Sequence, residues 1–120
     1  MRHDVTVEYN AEAAMRDGVI LRADIYRPKA DGDFPVILCR TPYGKTRRDM
    51  HVRIGNEMAA RGYITVYQDI RGRYDSDGEA RLHMGSDPEN SCITDGYDTV
   101  EWCAELPGST GKVGTFGNSY

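Results

Sequence analysis

Hydrophobic and polar positions alternate near the start of the chain. Val5, Val7 and Tyr9 are separated by Thr6 and Glu8, the period of a strand with one buried face. Met15-Arg16-Asp17-Gly18 supplies a turn, because glycine accepts the positive φ of tight connections, and residues 19–26 read as a second strand stopped by Pro28. An antiparallel hairpin follows from that pairing. The pattern then changes. Phe34-Pro35-Val36-Ile37-Leu38-Cys39 is apolar without interruption, as expected of a strand covered on both faces. After a loop holding Thr41-Pro42-Tyr43-Gly44, residues 52–61 predict a helix, with Ile54 and Met58 on one face and Gly62 just past the end. Tyr63-Ile64-Thr65-Val66-Tyr67 is β-rich and ends at Gln68-Asp69; residues 70–90 carry many charges with three Gly and one Pro and read as a long surface loop. In residues 91–106, Ile93, Tyr97, Val100, Cys103 and Ala104 keep helical spacing, and Pro107-Gly108 closes the segment. Lys112-Val113-Gly114-Thr115-Phe116 predicts a last strand that runs into Gly117-Asn118-Ser119-Tyr120. The order is β-β-β-α-β-α-β. Crossovers through helices enforce parallel neighbours, so the fold class is α/β: a mostly parallel sheet with an antiparallel hairpin at its front.

Composition narrows this picture at a few points. The 120 residues suffice for one compact domain. A net charge of −4, from 15 Lys and Arg against 19 Asp and Glu, argues against a nucleic-acid partner. No apolar run approaches the roughly 18–20 residues that span a bilayer, and no hydrophobic leader follows Met1, so a cytoplasmic chain without a membrane partner is expected. Cys39, Cys92 and Cys103 form an odd set without a C-x-x-C pair, which with scattered histidines disfavours zinc and favours buried reduced thiols. His3, His51 and His83 read as surface residues, and Lys45 with Arg47 and Arg48 as a solvated basic cluster. Gly111-Lys112 lacks the rest of a phosphate loop. Asp75-Ser76-Asp77-Gly78-Glu79 lacks the twelve-residue calcium pattern and reads as a solvated acidic loop. Asp69, Arg71 and Asp95 are candidates for a structural charge network beneath the end of the last strand.

Gly117-Asn118-Ser119 stands where that strand should hand over to a helix. In a nucleophile elbow the chain turns so sharply there that the serine hydroxyl projects above the sheet, and small flanking residues permit the bend. Only the first half of the G-x-S-x-G pattern is present before Tyr120. Taken alone the tripeptide reads as a polar turn, and Tyr43 as a half-buried loop tyrosine. The succession of elements matches that leading to the elbow of α/β-hydrolases, and the loop after the third strand, which normally carries an oxyanion donor, here carries Tyr43.

Several runs then resemble the cocaine esterase and X-Pro dipeptidyl-peptidase family: Met15-Arg16-Asp17-Gly18-Val19, Ala23-Asp24-Ile25-Tyr26-Arg27-Pro28 and Arg40-Thr41-Pro42-Tyr43. Gln68-Asp69-Ile70-Arg71-Gly72-Arg73, Ser76-Asp77-Gly78-Glu79, Asp95-Gly96-Tyr97-Asp98-Thr99-Val100-Glu101-Trp102, Gly111-Lys112-Val113-Gly114 and Gly117-Asn118-Ser119-Tyr120 continue the likeness in order. The resemblance implies a serine hydrolase of esters or amides, with a small-molecule substrate, no cofactor and an acyl-enzyme mechanism. It implies Ser119 as nucleophile, with the Tyr120 backbone N–H and the Tyr43 hydroxyl as oxyanion hole. A dipeptidyl-peptidase acting after proline, or a non-catalytic truncated relic, are the alternatives. This chain departs from the family at Gly108-Ser109-Thr110, where a tryptophan often follows the proline.

In this fold the triad order is Ser, then Asp or Glu, then His. The three histidines all precede Ser119, so the resemblance puts the remaining triad members beyond residue 120. Residues 1–120 are thus expected to be the N-terminal portion of a catalytic domain, inactive alone, with a helical cap and a jelly-roll domain elsewhere. Nothing in the sequence assigns an oligomeric state.

Overall fold

The computed structural model of the protein describes residues 2–46, 49–79 and 91–117. Seven elements follow in the expected order: β1 (Val5–Ala14), β2 (Ile20–Pro28), β3 (Phe34–Thr41), α1 (Asp49–Ala60), β4 (Ile64–Asp69), α2 (Ser91–Ala104) and β5 (Ser109–Thr115). The strands form one sheet in the order β1-β2-β4-β3-β5. β3 runs parallel to both β4 and β5, while β2 joins β4 antiparallel. The hairpin therefore extends the parallel sheet through β2, as the mostly parallel α/β reading anticipated.

The hairpin turns where glycine allows it. Gly18 has φ +87° and its N–H donates to the Met15 carbonyl at 2.8 Å. In β1 the simple alternation fails. The register against β2 shifts between Glu8 and Ala11, and Asn10 sits at φ +56° with its N–H donating to Asp24 Oδ1 at 3.1 Å. Such a bulge switches which residues face each side. Val5 and Val7 pack with Tyr26 and Ala59 of α1, Ala13 packs with Leu21 and Trp102 of α2, and Tyr9 is left 66% exposed.

The central strands are buried on both faces. Ile25, Val36, Leu38, Ile64 and Val66 join Cys103 under α2; their alternating neighbours Tyr26, Cys39 and Tyr67 pack under α1. Each large aliphatic side chain so buried stabilises the fold by roughly 1.5–3 kcal/mol. The two helices thus cover opposite faces. Cys39 and Cys103 are buried free thiols, as their apolar surroundings suggested.

α1 begins at Asp49, earlier than its apolar spacing suggested, and ends as the sequence indicates. Gly62 takes φ +101°, its N–H donates to the Ala59 carbonyl, and the Tyr63 N–H donates to Met58, the Schellman pattern that satisfies terminal carbonyls. The buried face is His51, Gly55 and Ala59, with Ile54 and Met58 only partly covered. Gly55 is there because α1 lies directly on Tyr26: a Cβ would stand 2.6 Å from that ring. Gly55→Ala gains about 1 kcal/mol of helix propensity, against about 1–3 kcal/mol for overpacking. Tyr67 blocks the ring's retreat in an edge-on contact, with ring centroids 6.2 Å apart. We expect a net loss of about 1 kcal/mol in urea unfolding; an unchanged or higher midpoint would show that the helix simply moves away.

α2 buries Cys103 and packs Val100 against the core, as its apolar spacing indicated, but not Ile93 and Tyr97. Ile93 and Tyr97 are exposed (65% and 62%), and the inner face is Asp95, Thr99 and Cys103, flanked by Val100, Trp102 and Leu106. Two polar residues turn inward because each meets a partner: Arg71 holds Asp95, and Thr99 donates to Gln68 Oε1 at 3.1 Å. Among the described residues no helix is long and apolar enough to cross a membrane.

Candidate active site

In sheets of this kind ligands gather beyond the carboxyl ends of the parallel strands, and here β3, β4 and β5 end on one rim. β3 stops at Thr41, whose Oγ1 accepts from the Tyr43 N–H at 3.0 Å and whose carbonyl accepts from Ile70 at 3.2 Å. These bonds curl the Tyr43 loop back over the strand ends. β5 reaches the same rim, since the Phe116 N–H donates to the Leu38 carbonyl at 3.0 Å and carries Gly117 beside β3. Between them lies a cavity of ≈ 200 Å³ whose wall includes Tyr43, Arg40, His51, Tyr67, Phe116 and Gly117. Tyr43 is half-buried in that wall. Ser119 and Tyr120 lie outside the described residues.

Behind Tyr43 sits a buried charge cluster. Lys45 has 1% of its surface exposed, and its Nζ stands 2.7 Å from Asp75, 3.4 Å from Asp69 and 3.7 Å from Asp24. Its backbone N–H donates to Asp69 Oδ1 at 2.8 Å. Desolvation works against the Lys45 ammonium, but the Asp75 bond and the charges of Asp24 and Asp69 outweigh it, so its pKa stands above the ordinary lysine value. Asp24 moves the other way for a carboxylate: burial raises its pKa, only partly offset by the Asn10 N–H and Lys45. The reading of Lys45 as solvated is thereby corrected; Arg47 and Arg48 lie outside the described residues.

The first part of the loop after β4 is equally tied down, contrary to a free surface loop. Ser76 is buried, donates to the Asp69 carbonyl at 2.6 Å and accepts from the Arg22 N–H at 2.8 Å. Arg73 Nε donates to the Pro42 carbonyl at 3.2 Å. The acidic run is partly neutralised, with Asp75 on Lys45 and Asp77 on Arg22. Arg71 grips Asp95 through two bonds of 2.8 Å and reaches Asp17 at 2.9 Å, so the turn after β1, this loop and α2 share one guanidinium. Of the expected Asp69–Arg71–Asp95 network only the Arg71–Asp95 link forms; Asp69 serves Lys45 instead.

The histidines are not surface residues where the structure describes them. His51 is 4% exposed and stacks on Tyr67, ring centroids 4.6 Å apart at 24°, and half-buried His3 meets Phe34 edge-on. His83 lies outside the described residues. Cys39, also in the cavity wall, has its pKa pushed up to about 11 by burial and so remains a thiol rather than a nucleophilic thiolate at neutral pH. His51 and Tyr67 were not singled out as site residues from the sequence. Their only signals were a histidine near a helix start and a tyrosine in a β-rich run, both ordinary core patterns.

Residues 17–120 match the family described as X-Pro dipeptidyl-peptidase (S15 family). The chain belongs to that family. Among curated proteins this S15 chain is 38% identical to cocaine esterase from Rhodococcus sp. (strain MB1 Bresler), over 96% of its own length and 20% of that protein. Among solved structures it is similar to an aminopeptidase from a marine sediment archaeon, Thaumarchaeota archaeon, with TM-score 0.81 and 34% identity over 98% of this chain and 22% of that one. It is also similar to an α-amino acid ester hydrolase, with TM-score 0.76 and 32% identity over 94% and 21%. The chain thus spans about a fifth of the length of these relatives. The α/β fold class stands, as the first part of an α/β-hydrolase sheet.

Proposed function

We propose that the protein is a serine hydrolase that cleaves an ester or amide through an acyl-enzyme. In this reading Ser119 is the nucleophile, and the Tyr120 backbone N–H and the Tyr43 hydroxyl are the oxyanion donors. The observation that carries it is that Tyr43 and Gly117, from the ends of two different parallel strands, line one cavity at the carboxyl rim. Ser119 follows Gly117 by two residues.

A serine hydroxyl needs a base to take its proton before it attacks a carbonyl. The attack turns the carbonyl oxygen into an oxyanion, and preorganised donors act where that charge develops. Collapse expels the alcohol or amine and leaves the acyl group on Ser119 Oγ; water then attacks the acyl carbonyl and releases the acid. The base and its orienting carboxylate are assigned to sequence beyond residue 120, which makes these residues the N-terminal portion of the catalytic domain. Relatives with names from both ester and peptide chemistry support an acyl-transfer reading that covers both.

Fluorophosphonate labelling of the full-length gene product tests this directly. The expected result is one phosphonylated peptide, carrying Ser119, and no adduct in Ser119→Ala. A Ser119→Ala protein labelled as well as wild type would remove the assignment.

A further inference from the structure

The last rung of the β3–β4 ladder carries two side chains that hold the loop bearing Tyr43. Thr41 and Asp69 are register partners there, and both are buried. Thr41 Oγ1 accepts from the Tyr43 N–H at 3.0 Å, and Asp69 Oδ1 accepts from the Lys45 N–H at 2.8 Å. The two clamped N–H groups flank Gly44, whose φ of +92° lets the chain bend between them. A threonine hydroxyl that bonds the backbone two residues on makes a local turn. A carboxylate that accepts from a backbone N–H makes the stronger, charge-assisted bond. That carboxylate is itself fixed: Asp69 Oδ2 accepts from the Asp75 N–H at 3.2 Å and stands 3.4 Å from Lys45 Nζ. Thr41 and Tyr43 both contribute to the cavity wall.

We infer that Thr41 and Asp69 are positioning residues for the Tyr43 hydroxyl, so that the final ladder rung sets where the oxyanion donor stands. The inference rests on the serine-hydrolase reading and deepens it by assigning two residues that act through Tyr43 rather than on the reacting atoms. A preorganised donor helps only when it is aimed at the place where charge develops. Misplacement by about 1 Å can cost about a hundredfold in rate. With residues 43 and 45 both tied to strand ends, the Tyr43 backbone has little freedom, and only the side-chain torsions remain to set the phenol. Half-burial in the cavity wall restrains those. Anchors on strands hold such a group more sharply than a loop does by itself. Releasing either clamp leaves the ring in the loop but lets its hydroxyl move off the developing oxyanion.

A double-mutant cycle separates positioning from general support of the fold. Thr41→Val keeps the side-chain shape and removes the acceptor, whereas Thr41→Ser keeps the acceptor. Rates are measured on the full-length protein with a 4-nitrophenyl ester and counted per fluorophosphonate-labelled site. Thr41→Val is expected to lower kcat about tenfold to thirtyfold, with KM changed by less than about threefold. Thr41→Ser is expected to recover most of that loss. In the Tyr43→Phe background the same Thr41→Val change should cost less than about threefold, because the hydroxyl it positions is gone. Asp69→Asn probes the second clamp. Its amide oxygen turns toward Lys45 Nζ and the Asp75 N–H, which sets its NH2 against the Lys45 N–H. The same drop in kcat, and the same loss of effect in the Tyr43→Phe background, are expected. If the buried Asp69→Asn change prevents folding, the Thr41 cycle decides the inference. A Thr41→Val effect below about twofold, or one of undiminished size in the Tyr43→Phe background, overturns this inference alone. Wild-type kcat in Tyr43→Phe removes the oxyanion role of Tyr43 and this inference with it. Absence of labelling at Ser119 in the wild type overturns the serine reading as well.

Discussion

On the proposed serine-hydrolase reading, Tyr43→Phe is expected to lower kcat for ester hydrolysis about 10²- to 10³-fold, with a much smaller change in KM. The phenol is assigned to the developing oxyanion, and removing one such donor typically costs roughly 3–4 kcal/mol of transition-state stabilisation. The substitution keeps the ring in the cavity wall, and the backbone bond from the Tyr43 N–H to Thr41 Oγ1 at 3.0 Å is untouched. Loop position is therefore preserved and the loss falls on the hydroxyl. A donor made only in the transition state affects kcat and kcat/KM together. Steady-state kinetics on a 4-nitrophenyl ester, with active sites counted by fluorophosphonate titration, would check this. An effect below about fivefold would return Tyr43 to the role of a packing residue.

The second large effect is on stability. Lys45→Met is expected to destabilise the protein by about 3–5 kcal/mol near pH 8, the usual consequence of removing one partner from a buried ion pair. Asp24 and Asp69 have no exposed surface, and without the ammonium they must either stay charged in a poor medium or take up protons. The sign with pH follows. Burial already holds the Asp24 pKa above its unfolded value of 3.8, so the folded state binds more protons there than the unfolded chain does. That contribution to stability is fully present below the unfolded pKa and is lost as pH rises through the folded one. Removing Lys45 raises the folded pKa further, so the deficit of the variant should shrink as pH falls from 8 toward 5. Urea unfolding at the two pH values measures it. Asp24→Asn in the Lys45→Met background should recover part of the loss, since an asparagine can still accept from the Asn10 N–H. A variant as stable as wild type at pH 8 would show that the carboxylates find compensation elsewhere.

This cluster also bears on Tyr43. Lys45 sits two residues after the tyrosine and ties the loop to β4 through Asp69, while Ser76 and Arg73 bind the next loop over the same strand ends. Strand order, buried charge and candidate oxyanion donor are therefore coupled through a few bonds at one rim. The placement of Tyr43 depends on groups that come from β2, β4 and two loops.

How much of this was legible beforehand differs by element. The continuous apolar run of β3 and the closing role of Gly62 were read correctly, because both depend on near neighbours in the chain: burial on both faces leaves no polar positions, and a left-handed residue ends a helix wherever it stands. Only the C-terminal half of the α2 face, Val100 and Cys103, is legible in the spacing, because the periodicity rule assumes that inward positions are apolar. Asp95 and Thr99 break it by having partners at Arg71 and Gln68, residues more than twenty positions earlier. Tyr9 was misassigned for a local reason with a distant cause, the bulge at Asn10 being held by Asp24 of the next strand. His51 and Lys45 read as solvated from sequence because their types usually are, and only their partners in the fold bury them.

The order and type of the seven elements, and the motif runs that place the chain in its family, are properties of the sequence itself: each rests on side-chain pattern over a few residues and survives whatever the chain packs against. Sheet order, the burial of Lys45 among three aspartates and the meeting of His51, Tyr67 and Tyr43 around one cavity were decided only by the tertiary structure. Those contacts join residues far apart in the chain, and a buried charge is tolerable only once its three-dimensional surroundings are set.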